Sequence, residues 1–152
     1  MTEEAVQGGA EPDAPLVLLV GHMASVQCMS WLAQNGGVRL LVSGGREGEV
    51  RLWDPLPGGR GCIGVLKGHI GGVNCLAVCD TSGLIATGGD DSTVRVWDAA
   101  AMACVATLRG HNSHIMSVSI LGKLVVSASS DSTSRSWWLI MGAEQVTPRT
   151  SA

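Results

Sequence analysis

The chain reads as an all-β protein made of three four-stranded antiparallel units, and three observations lead there. A Gly-His pair recurs at Gly21-His22, Gly68-His69 and Gly110-His111, with starts 47 and 42 residues apart. A tryptophan (Trp53, Trp97, Trp137) follows each pair, 32, 29 and 27 residues after its glycine. Between pair and tryptophan lie short apolar and β-branched runs separated by Gly, Asn, Asp and Ser, and no helical period interrupts them. Self-similarity at this period marks a repeat architecture.

Residues 1–15 (MTEEAVQGGAEPDAP) are acidic, with nothing to pack, and are expected to form a disordered lead. Leu16 to Val20 is an apolar run of strand length that ends on the first Gly-His. Repeats are then expected at about 21–67, 68–109 and 110–139. Each opens with a strand: VQCMSWL from Val26, VNCLAV from Val73 and IMSVSI from Ile115. After a Gly-bearing turn comes a second: Arg39 to Gly45, Gly83 to Gly89 and Lys123 to Ser129. The third strands are EVRLWD, TVRVWD and TSRSWW, and GCIGVLK and ACVATLR supply the fourth in the first two copies. Links this short do not allow crossovers, so neighbouring strands are antiparallel.

The strands are apolar on both faces, so each small sheet must be covered on both sides, which sheets stacked side by side achieve. The third copy weakens. Ser134 and Ser136 replace the Val50/Leu52 and Val94/Val96 of its predecessors, and Trp138 stands where Asp54 and Asp98 follow the earlier tryptophans. Residues 140–152 leave the pattern as an off-pattern tail, although Leu139 to Val146 offers a poor fourth strand.

Composition narrows the function classes. A chain of 152 residues with 45% apolar side chains can form one core, packed by five Trp and many aliphatics because Tyr and Phe are absent. The net charge of -3 supplies no field for binding phosphates, so nucleic acid is not an expected partner. No apolar stretch approaches the roughly 20 residues of a membrane helix, and no membrane partner is expected. Five cysteines without a C-x-x-C pair or a signal peptide point to reduced thiols and a cytoplasmic, or nuclear, location. Cys28, Cys75 and Ser117 share one station, which reads as a packing constraint.

These residues resemble the WD-repeat family, whose β-propeller blades are four-stranded sheets around a channel. The resemblance covers about Leu16 to Trp138 and implies an incomplete WD-repeat β-propeller of three blades, since closed rings typically need 4 to 8. It implies a tetrad in each blade that runs from a Trp indole to a Ser or Thr, to the Gly-His imidazole, to a turn carboxylate. The sets are Trp53, Ser43, His22 and Glu47; Trp97, Thr87, His69 and Asp91; and Trp137, Ser127, His111 and Asp131. Glu47 stands where Asp is expected, and its extra methylene is expected to lengthen or break the last bond.

Three patterns suggest chemistry and are set aside. His111, Ser127 and Asp131 supply hydrolase side chains, but Thr87 takes the serine's place beside His69 and Asp91, and no G-x-S-x-G elbow occurs. Gly59 to Gly64 fits G-x-G-x-x-G, yet a strand rather than a helix follows it. Three of the four histidines fall on separate blades, and His114 alone makes no metal site, so no metal or cofactor is expected.

The resemblance implies a non-catalytic scaffold that binds proteins or peptides through loops at the top of the channel. It selects Ser25, Gln27 and Arg46; Gly72, Asn74 and Asp90; and His114, Met116 and Ser130, with Arg46 and Asp90 foremost because charged groups orient partners. The ring would be completed by another propeller segment or a second copy. The alternative is a truncated or alternatively spliced fragment of a longer WD-repeat protein, without independent function or acting as a regulator.

Overall fold

The computed structural model describes residues 17–34, 36–140 and 149–151. The expected disordered lead, 1–15, and most of the expected tail therefore lie outside the described residues. Among the described residues all regular structure is β, in three four-stranded antiparallel sheets.

The first sheet has the order β1 (Val26–Ala33), β2 (Arg39–Gly45), β3 (Glu49–Asp54) and β4 (Gly61–Lys67). The second follows as β5 (Val73–Cys79), β6 (Leu84–Gly89), β7 (Val94–Asp98) and β8 (Ala103–Leu108). In the third, β9 (Ile115–Leu121), β10 (Leu124–Ser129) and β11 (Ser134–Trp138) are joined by β12 (Arg149–Ser151). Register is homologous throughout: Ser43 pairs with Arg51, Thr87 with Arg95 and Ser127 with Arg135.

The third sheet closes differently from its neighbours. Asp54 Oδ1 accepts the Leu56 N–H at 3.2 Å, and Asp98 Oδ1 accepts those of Ala100 and Ala101 at 2.9 and 3.0 Å, so each carboxylate folds the turn into the fourth strand. Trp138 has no carboxylate to offer. The fourth strand there is the three-residue β12, beyond the Leu139 to Val146 stretch, of which residues 141–146 lie outside the described residues.

Each sheet sets its Trp-bearing face on the opposite face of the sheet before it. Trp97 and Ile85 are buried with Leu32, Val42, Val50, Leu52 and Leu66, which joins the first two sheets. Trp137 and Val125 are buried with Leu84, Ala86, Val94, Val96 and Leu108, which joins the second to the third. Glycine permits the close approach. A Cβ on Gly44 would lie 2.6 Å from Val73 Cγ1, and one on Gly88 would collide with Ile115, the same station one joint later.

Candidate functional site

The sheets first have to be rigid, and three buried hydrogen-bond chains make them so. In the second sheet the Trp97 indole N–H donates to Thr87 Oγ1 at 2.9 Å, and Thr87 Oγ1 meets His69 Nε2 at 2.8 Å. Asp91 faces His69 Nδ1 at 3.0 and 3.1 Å and also accepts the N–H groups of Ile70 and Thr93. A carboxylate at Nδ1 holds the proton there, so Nε2 accepts from the hydroxyl and the hydroxyl oxygen accepts from the indole. The third sheet repeats this with Trp137 to Ser127 and Ser127 to His111, both 2.9 Å, and His111 to Asp131, 2.8 Å.

In the first sheet Trp53 donates to Ser43 at 2.7 Å, and Ser43 meets His22 at 2.6 Å. Glu47 also bonds His22 Nδ1, so the expected break does not occur: the longer side chain spans the same gap. The methylene has another effect. Asp91 and Asp131 each bind a threonine hydroxyl and two backbone N–H groups, whereas Glu47 Oε2 is buried without a hydrogen-bond partner.

The electrostatics follow the geometry. Burial raises the pKa of Asp91, but the Ile70 N–H and Thr93 bonds outweigh it and leave the carboxyl below its ordinary range. Burial lowers that of His69 further than Asp91 raises it. The second tetrad is therefore neutral imidazole beside ionised carboxylate. Its Thr87 oxygen is wholly buried and bonded on both sides, and Ser127 has the same surroundings, so neither hydroxyl is free to attack a substrate.

One rim of the sheets carries the nine selected residues, Gln27, Asn74 and Met116 near the starts of β1, β5 and β9 and the other six in loops. Three equivalent backbone bonds seat them: Arg46 N–H to the Ser25 carbonyl, Asp90 N–H to that of Gly72 and Ser130 N–H to that of His114, at 2.9, 2.9 and 3.0 Å. Ser25, Gln27, Arg46, His114, Met116 and Ser130 are exposed, and Asn74 and Asp90 are half-buried. Gly72 is buried between Asp90 and the Arg46 backbone, which takes it out of the accessible set. Its carbonyl and N–H both bind Asp90, so it shapes the loop instead.

Asp90 is the hub of this rim. It accepts from Asn74 Nδ2 at 2.9 Å and from the Gly72 N–H at 3.1 Å, and it pairs with His114 Nδ1 at 2.8 Å across the joint between the second and third sheets. The His114 and Asn74 bonds hold its pKa below the ordinary carboxylate range. The Arg46 backbone lies across Gly72 from it. Sequence spacing alone could not foresee that His114 and Asp90, on different repeats, would pair.

The thiols sort by surroundings. Burial pushes Cys28 up to about 12 and Cys75 up to about 11, while bonds from Ser82 and Thr81 bring Cys79 down to about 7. Cys79 is nonetheless buried, and Cys104 is the exposed one. Among the described residues no group of His, Cys, Asp and Glu could hold a metal ion, and no helix is long and apolar enough to cross a membrane.

Comparison with known proteins agrees with this architecture. The chain is 34% identical over 122 residues to a CCR4-associated factor 4 homolog of Candida glabrata, covering 73% of this chain and 21% of that protein. It is 32% identical to a p21-activated protein kinase-interacting protein 1-like of Danio rerio, covering 80% of this chain and 31% of that one. With mitochondrial division protein 1 of Neurospora crassa identity is 35%, over 87% of this chain and 25% of the other. The chain thus spans only a fifth to a third of these relatives' lengths. Among solved structures it resembles the computationally designed Ika4 protein, with TM-score 0.73, 28% identity and coverage of 90% of this chain and 78% of that one. The sequence model of the WD domain, G-beta repeat, matches residues 14–54, 60–98 and 102–137. With three matched repeats on three stacked four-stranded sheets, the chain belongs to the WD-repeat family.

Proposed function

We propose that the chain is a non-catalytic protein-interaction scaffold that binds proteins or peptides through the rim loops. The observation that carries this reading is the array around Asp90. Exposed Arg46, His114, Met116 and Ser130 share one rim with it, and buried tetrads fix the sheets beneath. A rigid platform loses little conformational entropy when it binds, and paired charges of opposite sign orient an incoming chain. Several relatives are named for association with other proteins, which supports the same class. With the Thr87 and Ser127 hydroxyls buried and bonded on both sides and a net charge of -3, catalysis and nucleic-acid binding fall outside the proposal, and its setting would be the cytoplasm or the nucleus.

The test is a peptide-display selection against the immobilised full chain. Enriched peptides are expected to lose binding to a chain carrying Arg46→Glu and Asp90→Lys while keeping it for one carrying Lys123→Glu. Equal binding to all three would remove the rim from consideration. The second reading, a fragment of a longer WD-repeat protein, is favoured by the share of the relatives that this chain spans. A soluble chain that unfolds cooperatively on its own would reject it.

A further inference from the structure

A difference at one station sets the first sheet apart from the other two. Glu49 opens β3, and Thr93 and Thr133 stand in its place just before β7 and β11. Both threonines turn toward their tetrads, where their hydroxyls donate to Asp91 and Asp131 at 2.7 and 2.6 Å. Glu49 turns instead to its neighbours on the outer strands. Its Oε2 accepts from Arg51 Nε at 3.1 Å and from Arg51 Nη2 at 2.6 Å, and its Oε1 pairs with Lys67 Nζ at 2.8 Å. The first sheet thus seats a carboxylate of its own between two cations.

The second sheet keeps both cations and lacks the carboxylate. Arg95 pairs with Thr87 as Arg51 does with Ser43, and Arg109 follows Leu108 as Lys67 follows Leu66, each leucine lying opposite the first valine of its third strand. Arg95 Nη1 faces Cys104 Sγ at 3.8 Å, and Arg51 Nη1 faces Cys62 Sγ at the same distance, so the two guanidiniums are equivalently posed. Beyond that thiol Arg95 has no acceptor among the described residues. Its Nε is buried without a partner, and the exposed Arg109 forms no ion pair there either. A buried N–H without an acceptor costs stability that an arriving oxygen restores. The tetrad carboxylate nearby is no bar, because Glu47 and Glu49 both make their ion pairs in the first sheet. In the third sheet Ser151, the partner of Ser134, is followed by Ala152, so the sequence offers no second cation at that place.

We infer that Arg95 and Arg109 form a docking site for a glutamate carboxylate from an acidic segment of a partner protein, seated as Glu49 is seated in the first sheet. An oxygen placed like Glu49 Oε2 satisfies both Nε and Nη2 of the guanidinium, and the second oxygen meets the other cation. Bonds to a fixed guanidinium fork are strong and orient what they hold. A carboxylate is the assigned group because the first sheet shows the same spot filled by one, with both oxygens engaged. The site is built by the outer strands and by none of the nine rim residues, so it stands or falls separately from the peptide-binding proposal.

The probe is a fluorescein-labelled hexaglutamate peptide titrated into the full chain and read by fluorescence anisotropy, with hexaglutamine as its neutral counterpart. Only hexaglutamate is expected to bind. Thr93→Glu, which supplies an internal carboxylate, and Arg109→Glu are each expected to weaken binding roughly tenfold or more. Ser82→Glu and Arg46→Glu change the net charge by the same amounts elsewhere and are expected to alter it by less than about twofold. Saturating peptide is also expected to slow alkylation of Cys104 by iodoacetamide, read by mass spectrometry, and to leave Cys62 unaffected. Circular dichroism establishes that each variant folds; should Thr93→Glu fail to do so, Arg109→Glu, at an exposed position, carries the comparison. Equal affinity across these chains, or no binding to the natural one, would overturn the inference. So would displacement of the peptide by an equimolar amount of inorganic phosphate, which would mark a phosphate site. A natural chain whose own dimer is dispersed by Arg109→Glu would overturn it too, because the occupant would then be a second copy.

Discussion

Each tetrad oxygen sits between an indole donor and an imidazole acceptor, so removing one partner strands another in a dry place. Trp97→Ala is expected to destabilise the chain by roughly 3 to 5 kcal/mol, from lost packing plus the unpaired Thr87 acceptor, as read from the denaturant midpoint. The pH dependence has a definite sign. His69 has a folded pKa below its ordinary 6.5, so its contribution is complete above about pH 6.5 and falls as acid charges the unfolded chain first. Asp91 is also depressed, so its contribution is present above its ordinary 3.8 and is lost as pH falls through its folded pKa. Melting temperature is therefore expected to decline in two stages on acidification, and Asp91→Asn should shrink the lower one without abolishing it, because Asp90, Asp131, Glu47 and Glu49 are depressed as well. The tetrad stations could be aligned from sequence because indole and imidazole recur at nearly fixed spacing. The burial of Gly72 could not, since a loop from the preceding repeat covers it.

The β-strands themselves were legible from alternating turn residues and apolar runs. The exception is β12, where Arg149-Thr150-Ser151 has no strong strand character and gains its place only by pairing with Ser134 to Ser136. The missing turn carboxylate at Trp138 was visible, but where the chain would return was not, because a long connection sets no register. The joints between sheets depend on small residues at the crossing. Gly88→Val is expected to force Ile115 out of its seat and cost about 1 to 3 kcal/mol, whereas Ser82→Val, at an exposed turn, should cost far less. Parallel thermal melts of the two variants make the comparison.

Across the whole molecule, three sheets are not equivalent even though their sequences repeat. Among the described residues the second is covered on both faces, and the first and third on one each. Amide exchange is accordingly expected to be slowest in β6 and β7 and faster in β2, β3, β10 and β11, by mass spectrometry of peptic fragments. Uniform protection across the three would mean that a further surface is covered in solution. The stacking of sheets could be anticipated from strands apolar on both faces; which residues the two outer faces expose, Met29 and Trp31 on one and Val126 and Trp138 on the other, emerged only with the strands in register.

Every tetrad is confined to its own sheet, linking the residues just before its first strand to the bend between its second and third. Each module therefore carries its own internal brace, and polar ties between modules are few, the His114 to Asp90 pair among them. A lesion in the polar part of one brace leaves its neighbours' wiring intact, as a bulkhead confines a leak to one compartment, whereas one at Trp97 or Trp137 also loosens the joint to the preceding sheet.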